Sequence, residues 1–138
     1  MNIEDLNNAE IGFIEIIRVF GFLFKEGYHG KRFSIGGREP GVCFENWVAN
    51  REVIVFWSED GYLDVWIKRK KMFANPKLVE FSIRDYFKHY NCESIMTSHS
   101  FGTFNILKQY AGFIQQNIMP VIKGEMWIDE LIKVKNKY

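Results

Sequence analysis

The stretch Val53-Ile54-Val55-Phe56-Trp57-Ser58-Glu59-Asp60-Gly61-Tyr62-Leu63-Asp64-Val65-Trp66-Ile67-Lys68 decides the fold. Two runs rich in Val, Ile, Phe and Trp flank Ser-Glu-Asp-Gly, a cluster with strong turn chemistry, and together they predict a β-hairpin. A three-residue loop of Glu59, Asp60 and Gly61, with Gly61 in the left-handed position, sorts the side chains cleanly. Trp57 then opposes Leu63, Val55 opposes Val65 and Val53 opposes Ile67. One face is wholly apolar: Val53, Val55, Trp57, Leu63, Val65 and Ile67. The other carries Ile54, Phe56, Ser58, Tyr62, Asp64, Trp66 and Lys68. A two-residue loop would put Asp64 and Lys68 beside Val53 and Val55. A slip by one residue flips every side chain, so the clean sorting selects the register.

Outward from the hairpin, Val42 to Val48 predicts a further strand, with Val42, Phe44, Asn46 and Val48 on one side. The residues Ala49 to Glu52 turn it into the hairpin, giving an antiparallel meander. His29 to Gly41 holds four of the eleven glycines and predicts a connection, with at most a short edge strand at Arg32–Ile35. It lacks the spacing and the strand–helix context of a phosphate-binding loop. Leu6 to Glu26 predicts one helix with a wide apolar arc, closed by Gly27. Ser82 to His89 predicts a short capped helix, and Gly102 to Ile118 a longer one, limited by Pro120. Lys123-Gly124 ends the next turn, and Met126 to Val134 predicts a last helix. The expectation is a single α+β domain over residues 1–138: a three- to four-stranded antiparallel meander with an N-terminal helix and C-terminal helices.

Composition narrows the function classes. The formal net charge of +1 gives no global electrostatic case for nucleic acid. Lys68-Arg69-Lys70-Lys71 is a local basic run, read as a solvated strand end that discourages edge pairing. The most apolar run, Gly12 to Phe24, contains Glu15 and Arg18 and falls short of the roughly 20 residues a membrane helix needs. With an acidic start in place of a basic leader, a cytoplasmic protein is expected. Cys43 and Cys92 form no CxxC pair, so no disulfide scaffold is expected.

No catalytic constellation, metal set or cofactor motif emerges. His89, Cys92 and His99 lie close in sequence, but their spacing matches no standard zinc pattern. They mark the alternative reading, a small-ligand or enzyme site. Asp64 faces outward among aromatics and is read as a solvated carboxylate. The second hairpin face is more informative, because large apolar side chains are out of place on a sheet face left in water: either a helix or loop of the same chain covers them, the favoured reading, or they form a contact surface. Aromatics rimmed by charge are the material of binding hot spots. Ile54, Phe56, Tyr62, Trp66 and Lys68, with the acidic tip Glu59–Asp60, are therefore the candidate partner-binding residues. A protein partner is expected there, with a second copy of the chain as another occupant.

The order of elements, with the Glu59-Asp60-Gly61 turn, and one C-terminal signature carry a resemblance. Leu107-Lys108-Gln109-Tyr110-Ala111, followed after a helix by Ile122-Lys123-Gly124-Glu125 and Trp127, resembles the closing segment of small bacterial proteins of uncharacterised function. These include immunity proteins encoded beside polymorphic toxins. The likeness is specific over Leu107 to Trp127 and loose elsewhere. It implies a stoichiometric inhibitor of a partner toxin and carries over no catalytic residue.

Overall fold

A computed structural model of the chain describes residues 8–35, 39–57, 63–69, 80–83 and 102–136. Its strands are β1 (His29–Ile35), β2 (Glu39–Asn46), β3 (Arg51–Trp57), β4 (Leu63–Arg69) and β5 (Glu80–Ser82). They form one sheet in chain order, each antiparallel to the next. The helices among the described residues are α1 (Asn8–Val19), α2 (Phe22–Lys25), α3 (Gly102–Asn117), α4 (Met119–Ile122) and α5 (Ile128–Asn136). The α+β class is as expected, and so is the hairpin register: Val53 pairs with Ile67, Val55 with Val65 and Trp57 with Leu63.

The sheet is larger than expected, with five strands in place of three or four. The glycine-rich stretch that reads as a connection is mostly strand: β1 pairs with β2 from His29↔Glu45 to Ile35↔Glu39. An edge strand needs only a neighbour's free ladder, so its own weak β-propensity does not decide. Pro40 is tolerated because it sits before β2 meets β3, whose pairing starts at Gly41↔Phe56. The turn after β2 also begins earlier than expected. Trp47 and Val48 belong to it, and Asn50 closes it at φ 58.

One face of the sheet holds the core. Val42 lies beside Val55 and Val65, and Phe44 beside Val53, Ile67 and Phe81. All are buried, against Phe13, Ile16, Phe20 and Leu23 of the N-terminal helices and Leu107, Tyr110 and Ile114 of α3. The expected single N-terminal helix is interrupted at Phe20–Gly21, which lets Leu23 of α2 turn back into that core. Gly27, at φ 92, ends it as a glycine should.

The closing elements are fastened to the β2–β3 turn by polar groups. Pro120 sits in the first turn of α4, where its missing N–H costs nothing. Tyr28 Oη donates to the Ile122 carbonyl at 2.6 Å. Arg51, 6% exposed, donates through Nε to the Val121 carbonyl and through Nη2 to the Met126 carbonyl, each at 2.9 Å. Its guanidinium also lies 4.9 Å from the Trp127 ring centre. Gly124 takes φ 79, and a Cβ there would fall 2.6 Å from the Ala49 carbonyl oxygen. The Ile122–Trp127 signature is thus a packing device: its glycine admits the turn, and its tryptophan receives the buried arginine.

Candidate functional site

The face of the sheet opposite the core is where the candidate residues gather. Strand alternation puts Lys31, Cys43, Ile54, Trp66 and Ser82 in one cross-strand row. A second row runs His29, Glu45, Glu52, Lys68 and Glu80, and a third includes Gly41, Phe56 and Asp64. Cys43, Ile54, Phe56 and Trp66 are half-buried. The described helices pack on the other face. Directly opposed large side chains such as Ile54 and Trp66 stabilise the pair of strands that carries them. The arrangement therefore sits on rigid backbone.

Of the expected partner-binding residues, Ile54, Phe56, Trp66 and Lys68 do share this face. Glu59, Asp60 and Tyr62 lie outside the described residues, as do His89, Cys92 and His99 of the alternative site. Lys68 is engaged across the sheet, with Nζ 3.2 Å from Glu80 Oε2. Both side chains are more than a third exposed, so this pair is worth at most about 1 kcal/mol. Asp64 corrects the sequence reading. It is 3% exposed, and its Oδ1 accepts from Ser82 Oγ and from the Val65 N–H, each at 2.8 Å. A carboxylate on the outward parity of a strand becomes structural once a hydroxyl on the next strand and a backbone N–H satisfy it.

The same face carries a mixed donor cluster. Cys43 Sγ donates to Glu52 Oε1 at 3.1 Å, with Glu45 Oε1 4.0 Å away. One ligand atom from each of Cys43, Glu45 and Glu52 lies within 4.8 Å of the others. A thiolate with two carboxylates is a donor set a zinc-like ion could use. The sequence reading missed this grouping, because it needs the β2–β3 register, which places Glu45 opposite Glu52.

At the β2–β3 turn the sequence reading missed a second feature. Trp47 is 65% exposed and Val48 fully so, and Val48 lines a groove of about 390 Å³ with Glu26, Asn46, Ala49, Lys123 and Gly124 among others. Asn46 holds this turn to the N-terminal helices: its Nδ2 donates to the Glu26 carbonyl at 2.9 Å, and its Oδ1 accepts from the Ala49 N–H at 3.0 Å. The asparagines at 46 and 50 were the signal that the strand ends before Trp47.

Burial shapes the titrating groups away from the open face. It lowers the Arg51 pKa, with Arg69 nearby acting the same way. It raises the Tyr28 phenol well above its ordinary value, opposed by Arg51, and raises Glu15 against the pull of Arg18. None of these groups belongs to the open face. No described helix is long and apolar enough to cross a membrane. The chain matches no family model, no curated protein and no solved structure.

Proposed function

We propose that the chain is a protein-binding module, most concretely an immunity-type inhibitor that neutralises a partner toxin by stoichiometric binding. The observation that carries this reading is the group Ile54, Phe56 and Trp66, half-buried on a sheet face that no described helix covers. Aromatic anchors fixed on paired strands lose little freedom on binding, which lowers the ordering cost of association. Water-excluding contact around Trp66 and Phe56 would supply the affinity, and the Lys68–Glu80 pair at the rim would set orientation. The C-terminal resemblance favours a toxin as the partner class.

The test is co-expression with the encoded neighbour, followed by purification of the tagged chain and measurement of neighbour toxicity. A one-to-one complex that abolishes toxicity is the expected result. The double variant Phe56→Ala/Trp66→Ala, checked for folding by circular dichroism, should release the neighbour. An intact complex with the folded double variant would remove this face from the binding surface.

A further inference from the structure

The edge of the sheet at β1 offers a second and different surface. Among the described residues no strand continues the sheet beyond β1, whose seven residues turn their outward N–H and C=O groups to that edge. The opposite edge, β5, has only three residues. His29, Gly30, Lys31 and Arg32 are all exposed. Long exposed edges are templates for strand addition, whereas short ones are not.

The flank of the N-terminal helices overhangs this edge. The Phe24 ring lies over Gly30, where an added Cβ would meet two ring atoms at 3.4 Å, and the Arg32 guanidinium sits 4.1 Å from the centre of the Phe13 ring. Counting about 100° per residue, Ile17 and Ile14 fall about 40° and 100° to one side of Phe13, with Val19 about 120° to the other. Arg18 and Val19 line a groove with Ala111 and Lys108 of α3, so Ile17 lies on the flank away from α3, with Ile14 at its margin. Ile14 is 46% exposed, Ile17 39% and Phe24 44%. A strand added about 4.8 Å outside β1 would lay alternate side chains on this apolar flank.

Charge selects the occupant. The β1 sequence His-Gly-Lys-Arg-Phe-Ser-Ile carries cationic side chains and no carboxylate. A second copy pairing antiparallel about Lys31 or Arg32 would set like charges directly opposite each other, which is destabilising. An acidic strand is complementary. We propose that β1 is a docking edge for an extended segment of a partner protein, with acidic and apolar residues alternating, which adds as a sixth strand. This rests on the reading of the chain as a protein-binding module and uses a surface other than the aromatic face.

The experiment is amide chemical-shift mapping of the full chain with a capped seven-residue peptide alternating Glu and Val, at up to about 1 mM. The expected shifts fall on β1 amides. N-methylation of one alternate set of peptide nitrogens should weaken binding about tenfold, while N-methylation of the other set leaves it unchanged, because only one edge of the peptide faces β1. The variant Lys31→Glu/Arg32→Glu, with its fold checked by circular dichroism, should lose the peptide by a similar factor of about ten. Absence of shifts, equal tolerance of both N-methylated peptides, or self-association through β1 without peptide would overturn the proposal. Shifts confined to Ile54 and Trp66 would also overturn it, while leaving the protein-binding reading in place.

Discussion

The two faces of the sheet are built from the same strands in the same register, yet they have opposite fates. On the covered face, Val53, Val55, Val65 and Ile67 are each 0% exposed and packed by helices from both ends of the chain. On the open face, Ile54, Phe56 and Trp66 stop at half-burial, and polar groups at the margin are tied in pairs: Asp64 to Ser82, Lys68 to Glu80, Cys43 to Glu52. On this second face burial is uneven: Asp64 and Ser82 are 3% and 4% exposed, while Ile54, Phe56 and Trp66 keep part of their surface in reach of solvent or a partner. The difference separates residues packed by the described helices from residues held only by their neighbours on the sheet.

The sharpest way to break this comparison uses one residue type on both faces. Ile67→Ala should cost about 2–5 kcal/mol by removing methylenes from a packed core. Ile54→Ala should cost about 1 kcal/mol, as for a half-buried site. Urea unfolding with an unchanged slope would measure both. Equal costs would mean that the open face is packed as tightly as the covered one. Next in size is Arg51→Met, which removes the charged donor from the Val121 and Met126 carbonyls, the former keeping the Gly124 N–H at 3.1 Å. A loss of about 2–4 kcal/mol is expected, since two hydrogen bonds from a buried charged group are lost together. Lys68→Ala should change stability by less than about 1 kcal/mol while altering the salt dependence of partner association.

The smallest effect concerns Glu15, whose pKa burial raises above its ordinary value of 4.5. A carboxyl with a raised folded-state pKa binds more protons when folded than when unfolded. Its contribution therefore becomes less favourable as pH rises from 4.5 through the higher folded value. Glu15→Gln should flatten the stability profile over that window and stabilise the protein slightly at neutral pH. Thermal midpoints across pH for the two proteins would show it.

Much of this comparison is legible in the residues themselves. The alternation in Val53–Lys68 sorts apolar from mixed positions and predicts the pairing, while which face the helices cover is decided by the tertiary structure. Ile54, Phe56, Trp66 and Lys68 follow as neighbours on the other face. Asp64 was misread because nothing near it in sequence announces Ser82, whose hydroxyl satisfies it from the adjacent strand. Trp47 and Val48 were drawn into the strand by their β-propensity, although the flanking asparagines make a turn there. β1 was hidden by the glycines of the His29–Gly41 stretch, since an edge strand borrows its geometry from β2.

The sequence by itself determined the α+β class, the hairpin register and the amphipathic helices, because period-2 and period-3.6 patterns are local and need no partner to be read. Tertiary structure decided what those patterns could not reach. Arg51 finds the Val121 carbonyl 70 residues on, Tyr28 finds Ile122 94 residues on, and Gly124 is required by the backbone of Ala49. It also gathered Cys43, Glu45 and Glu52 and left β1 as an edge overhung by Phe13 and Phe24. Such groupings follow from which surfaces meet in three dimensions, and no residue's own neighbourhood in the chain encodes that meeting.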